Sequence, residues 1–181
     1  MDRPALPMSA PAAGFSLLEL MVVLGLTLTL ATLALPSWRG LMVRWALESE
    51  AQTLLDDLRY ARTQAIVRGQ AVSICPTVDG VVCADQADWG RGWMIFLDAE
   101  ANRVSGPGKS VLRRHQPSAS VQAITSNANE LRVSGLTYQP TGAARGAGQS
   151  LRLVAGSALR LVCISMQGRA SLRPEGQVQC T

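Results

Sequence analysis

The chain has 181 residues, with 17 Lys and Arg against 13 Asp and Glu, a net charge of +4. Its four Cys are spaced x7 and x16 and it has one His, which argues against a zinc-type ligand set, and no repeat or low-complexity tract marks it as a fibrous repeat or a disordered chain. The charge is uneven: residues 1–100 carry 7 Arg against 11 Asp and Glu, net −4, and residues 101–181 carry 10 Arg and Lys against 2 acids, net +8, a bias that suits an anionic partner or simply a coding preference for Arg.

Residues 1–14 are short, rich in Pro and Ala, and polar enough to stay out of lipid. Phe15 to Leu35 follows as an apolar run of 21 residues. As a helix it would be about 31 Å long, the thickness of a bilayer's hydrocarbon core. One ionisable group interrupts it, Glu19, and a charge in such a segment costs about 2.5–3.5 kcal/mol on insertion scales, so it is a functional candidate. A secretory signal places its apolar core before the cleavage site; here the Gly14-Phe15 junction precedes the core. Cutting there keeps the helix and creates a positive N-terminus at Phe15, about one turn from Glu19. In an assembly, Glu19 of one subunit can pair with the amine of the next, and an unpaired buried charge penalises any other register.

Pro36 removes an N–H and is expected to bend the helix. The helical pattern resumes at once. Leu47, Ala51, Leu54, Leu58, Ala61 and Ala65 are separated by steps of 4, 3, 4, 3 and 4, a helical stripe. Glu48, Glu50, Asp56, Asp57, Arg59 and Arg62 lie between them and read as the solvated face. The helix is expected to reach about Arg68 and end at Gly69. Short β candidates follow: Ala71–Cys75, Trp93–Leu97, Val111–Arg113, Leu131–Val133 and Leu136–Tyr138. Gly142–Ser150 reads as a loop. Leu151–Val154 and Leu159–Ser165 read as a closing hairpin that turns at Ala155-Gly156-Ser157. One long helix followed by short strands argues α+β with a mainly antiparallel sheet. Export would favour disulfides. Of three pairings, Cys75–Cys83 closing a local loop and Cys163–Cys180 tying down the C-terminus are the expected ones, with the other two left open.

The segment Gly14-Phe15-Ser-Leu-Leu-Glu19 resembles the processing site of type IV pilins and of type II secretion pseudopilins. Leu58-Arg-Tyr-Ala61-Arg62-Thr-Gln-Ala65-Ile-Val-Arg68-Gly69 with Cys75-Pro76, and Trp89-Gly-Arg-Gly92-Trp93-Met-Ile-Phe96-Leu-Asp98, resemble the GspH/FimT family of minor pilins and pseudopilins, with more likeness to its FimT and FimU branch. The resemblance implies a pilin-like α+β fold: a leader (1–14) removed by a prepilin peptidase after Gly14, N-methylation of Phe15, an inner-membrane and assembly helix (15–36), and a periplasmic domain (37–181) carried into a pilus or pseudopilus beside other pilins. The positive-inside rule runs against this orientation, since Arg3 precedes the span while Arg39 and Arg44 follow it; the processing site and the four Cys favour export.

Other motifs carry less. Ser105-Gly106-Pro-Gly108-Lys109-Ser110 departs from a phosphate-binding loop at Arg103, where Gly is needed, and reads as a turn. His115 lies beside Arg113 and Arg114 with no carboxylate near it in sequence, and reads as a surface residue. Trp89 and Trp93 read as core. Gly168-Arg169-Ala170-Ser171-Leu172-Arg173 resembles in part a Gly-Arg-x-Arg motif of DNA-binding members of the family, but Ser171 stands at the second Arg. Arg169 and Arg173, extended by Arg152, Arg160 and Arg145, are candidates for salt-sensitive contact with extracellular DNA; a solvated loop with scattered Arg is the other reading. No catalytic residue, cofactor or metal is expected.

Overall fold

Helix α1 (Leu17–Arg68) is assigned without interruption past Pro36. The computed structural model describes residues 14–84, 88–106, 108–126, 135–145 and 149–180, without the side chains of residues 33–37, 39, 126 and 149. The chain falls into two compact units, Met1–Gly40 and Leu41–Thr181.

In the second unit the stripe Leu47, Ala51, Leu54, Leu58, Ala61 and Ala65 is buried, as the 4-3 spacing requires. The alanines keep the stripe thin and let the helix lie close to its neighbours. Gly69 ends α1 with φ +60°. Its N–H donates to the Ile66 carbonyl at 3.3 Å, and the Gln70 N–H donates to the Ala65 carbonyl at 3.3 Å. This pair of bonds caps the orphan carbonyls of the last turn, and the left-handed residue it requires is cheapest as Gly.

Two antiparallel sheets cover the stripe. The first joins β1 (Val72–Pro76), β2 (Trp93–Leu97), β3 (Val111–His115), β5 (Leu136–Tyr138) and β6 (Ala144–Arg145), in the order β3-β2-β1-β5-β6. The second joins β4 (Ala123–Ser126), β7 (Gln149–Ala155), β8 (Ala158–Ile164) and β9 (Ala170–Leu172), in the order β4-β7-β8-β9. Val72, Ile74, Trp93 and Ile95 of the first sheet and Ile124, Leu151, Leu153, Val162 and Ile164 of the second share one core with α1. Successive side chains on a strand face opposite ways. The other face of β1 and β2 therefore carries Cys75, Met94 and Phe96, a second small cluster against which Cys83 packs. A strand buried on both faces needs an unbroken apolar run, and Trp-Met-Ile-Phe supplies it.

Both local disulfides are present, Cys75–Cys83 and Cys163–Cys180, with Cα separations of 5.6 and 5.8 Å. The structure differs from the sequence expectation in several places. β4 and β9 arise in segments without strand signals, because each is an edge strand held mainly by its neighbour's backbone. Gly142–Ser150 is not wholly a loop: β6 and the start of β7 lie within it. A 3-10 turn, Trp89–Arg91, precedes β2. The turn of the β7–β8 hairpin is only two residues, Gly156 and Ser157. Leu131–Val133 lies outside the described residues.

The largest correction concerns the helix face taken as solvated. Asp57 is 2% exposed and Glu50 6%. Both look across to the first sheet, and the polar partners that make their burial tolerable come from residues far away in sequence.

Candidate functional site

Three features are candidates for function: the head of α1, the polar contacts that fix α1 to the sheets, and the C-terminal arginines. At the head, the Ser16 hydroxyl accepts a hydrogen bond from the Leu18 N–H at 3.3 Å, and the Ser16 carbonyl accepts from the Leu20 N–H at 3.1 Å. Ser16 thus acts as the N-cap, a role its short hydroxyl side chain suits. Glu19 sits in the first turn, where the helix dipole favours a negative charge. Phe15 is 86% exposed, and Leu17, Leu18, Met21, Val22, Leu24, Leu26 and Leu28 are exposed around the helix. Thr27, Thr29 and Thr32 turn their hydroxyls back onto carbonyls one turn earlier at 2.8–2.9 Å. Their polar atoms are satisfied within the helix, so the outward surface stays apolar. Among the described residues, no helix is long and apolar enough to cross a membrane.

The second feature anchors α1. The Trp93 indole N–H donates to Asp57 Oδ2 at 2.8 Å, and Arg113 Nη1 donates to Asp57 Oδ1 at 2.6 Å. The Arg113 guanidinium also lies 4.1 Å above the Tyr60 ring. Two turns earlier on α1, Glu50 Oε1 lies 2.5 Å from His115 Nε2, and Glu50 Oε2 accepts from the Ser118 N–H at 3.2 Å. The His115 ring sits 4.3 Å from the Trp93 ring. His115 is thus not a surface residue: it is half-buried, with a carboxylate partner 65 positions away. At the far end of the helix, Arg62 donates to the Gly142 carbonyl at 2.9 Å and to the Gln167 carbonyl at 3.2 Å. These contacts read as structural. Among the described residues no group of His, Cys, Asp and Glu is arranged to hold a metal ion.

The third feature is dispersed. In the β7–β8 register Arg152 faces Leu161 and Arg160 faces Leu153. Leu153 belongs to the core, so Arg152 and Arg160 project from opposite faces of the sheet. Arg160 pairs with Glu48 through Nε and with Glu175 through Nη2 at 3.7 Å. This corrects its inclusion in one basic surface with Arg152: two carboxylates already engage it. Arg169 is exposed beside Gly168, at the turn leading into β9, and its backbone pairs with Ser165. Arg173 is half-buried, and its N–H donates to the Leu161 carbonyl at 2.9 Å. Arg145 is exposed on β6, in the other sheet. Lys109, from the motif that brushes a phosphate loop, instead reaches Asp98 at 3.6 Å and Glu100 at 3.9 Å.

A family model described as type II transport protein GspH matches residues 50–168. The chain belongs to the GspH family. The match opens at Glu50 in α1, takes in β1 to β8 and closes at Gly168, so it covers the contacts of Glu50, Asp57 and Arg62 and stops short of Arg169 and β9. A curated relative, pilin-like protein PilA1 of Thermus thermophilus, is 33% identical over 162 residues, covering 88% of this chain and 97% of the relative. Among solved structures, the type IV minor pilin FimU of Pseudomonas aeruginosa shares 26% identity and a TM-score of 0.58, over 72% of this chain and 90% of that one. The minor pseudopilin EpsH of the Vibrio cholerae type II secretion system shares 13% identity and a TM-score of 0.53, over 76% of this chain and 99% of that one, a likeness of fold alone. A long helix packed on antiparallel sheets is thus the architecture of this GspH-family protein and of its pilin-like neighbours.

Proposed function

We propose that this protein is a minor pilin or pseudopilin, a subunit that works by being built into a pilus-like fibre and not by catalysing a reaction. The observation that carries the reading is the start of α1, Leu17 to Leu30, whose exposed large side chains apart from Glu19 are all apolar and lie around the helix, with Glu19 in its first turn and a GspH-family fold following it. A surface of this size is costly in water at about 25 cal/mol per Å², so it calls for lipid or other helices. In this reading a prepilin peptidase cuts after Gly14 and the new amine of Phe15 is methylated. Residues 15–36 rest in the inner membrane with the Cys-bearing domain in the periplasm, before the subunit enters the fibre with other pilins. Glu19 then meets the Phe15 amine of a neighbour and sets the register. DNA uptake through Arg169 rests on charge and on a motif matched only in part, and forms no part of the proposal.

The test is to express Glu19→Ala in the native host and to weigh the mature protein by mass spectrometry. The expected result is a mature chain beginning at Phe15, with fibre incorporation lost in the variant. A mature N-terminus elsewhere, or unchanged incorporation, would overturn the reading.

A further inference from the structure

A cleft of about 290 Å³ opens where the Cys75–Cys83 loop meets the ends of β2 and β3. Its walls include Thr77 and Asp79 from the loop, Arg91 before β2, and Arg114 and Gln116 at β3, with Trp93 beneath. The loop is rigid for local reasons. Asp79 Oδ1 accepts from the Val81 and Val82 N–H groups at 2.8 and 3.0 Å, and Thr77 Oγ1 donates to the Val82 carbonyl at 2.7 Å. Those backbone bonds, Val82 first, hold the Asp79 carboxyl below its ordinary value.

Two guanidinium groups line this cleft with little internal use. Arg114 spends its Nε on the Gly80 carbonyl at 2.6 Å, which fixes the plane of its fork and leaves the outer nitrogens available. The Arg91 side chain makes no hydrogen bond or ion pair among the described residues. Two other polar side chains at the cleft have partners of their own: Asp79 is bonded to its own loop, and His115 faces Glu50. We propose that this cleft binds the carboxylate of an extended acidic peptide segment, with the side-chain carboxylate of Glu or Asp held between Arg91 and Arg114. Planar guanidinium forks match a carboxylate through paired N–H···O bonds. The cleft lies at the small end of the range for ligand sites, about 300 Å³, which suits one side chain. Val78 is exposed at its wall and offers apolar contact for the side-chain methylenes. β3 is an edge strand of its sheet, a place where an extended backbone can lie alongside. The proposal is independent of the fibre reading, because the cleft lies wholly within the second unit.

The experiment uses the full chain in detergent and fluorescein-labelled hexaglutamate as the probe, followed by fluorescence anisotropy. Hexaglutamine and a single-stranded oligothymidylate are the comparison probes. Hexaglutamate binding is expected to weaken at least about tenfold in Arg91→Gln, a change worth about 1.4 kcal/mol, and further in Arg91→Gln with Arg114→Gln. Arg91→Lys should recover only part of it, since an ammonium lacks the fork. The Arg91 side chain has no partner to lose among the described residues, so its variant keeps the test valid if Arg114→Gln disturbs the loop. Glu19→Ala should bind like the parent, which separates this test from that of assembly. Absent hexaglutamate binding, binding indifferent to both Arg substitutions, or equal binding of hexaglutamine would overturn the proposal. Oligothymidylate binding that is tighter and falls with the same substitutions would overturn it in favour of phosphate.

Discussion

Gly168 closes the turn between β8 and β9 with φ +76°, and its N–H donates to the Ser165 carbonyl at 2.8 Å. A Cβ there would collide with the Gly142 carbonyl oxygen and press on the Tyr138 ring. That carbonyl also accepts from Arg62, so three segments meet where only a hydrogen fits. Gly168→Ala is expected to destabilise the protein by about 1–3 kcal/mol through left-handed strain and displaced backbone, read as a lower urea midpoint. Tyr138, beside it, is buried, and its hydroxyl has no hydrogen-bond partner among the described residues. Burial pushes its pKa well above the ordinary 10.0, with the Arg62 charge opposing. A folded pKa raised above the unfolded one gives stability that is complete below about pH 10 and lost as pH rises towards the folded value. Thermal melts between pH 9 and 12 should therefore fall less steeply in Tyr138→Phe than in the parent. Neither role was legible in the sequence. The Gly168-Arg169 pair drew notice for its arginine, whereas the glycine is the residue that the packing demands.

At the scale of elements, α1 is tied to the first sheet by Asp57 and Glu50 as well as by its apolar stripe. Asp57→Ala strands the buried Trp93 N–H, and the expected cost is about 1–3 kcal/mol. Asp57→Asn retains an acceptor for the indole and should cost less. Denaturant titration of the two variants orders them, and equal losses would show that the indole bond contributes little. The helical stripe was legible because 3.6-residue periodicity is a local property. The burial of Asp57 and Glu50 was not: between apolar positions an acid reads as solvated, and only Arg113, His115 and Trp93, folded back from a sheet 36 to 65 residues away, make it an interior residue. The same reasoning applies to β4 and β9. Their strand character belongs to the pairing with β7 and β8, and their own residues carry little pattern.

For the whole molecule, residues 174–180 are exposed and are fastened by Cys163–Cys180, a separation of 17 residues. Closing a loop of that length is worth about 3 kcal/mol in the chain-entropy model. Cys180→Ser with Cys163→Ser should lower the melting temperature and hasten cleavage within residues 174–180 by a protease of broad specificity, with the cut sites mapped by mass spectrometry. The parent treated with reductant should behave the same way.

The sequence by itself determined the apolar rod headed by Gly14-Phe15 and Glu19, the stripe from Leu47 to Ala65, its stop at Gly69, and the α+β class with its family resemblance. All of these are written in near-neighbour spacing, which a linear text preserves. Only the tertiary structure decided which polar groups are interior, that Arg152 and Arg160 face opposite ways, and that Arg91 and Arg114 share a cleft. Those outcomes depend on strand register and sheet order, and hence on contacts between residues that the chain itself keeps far apart.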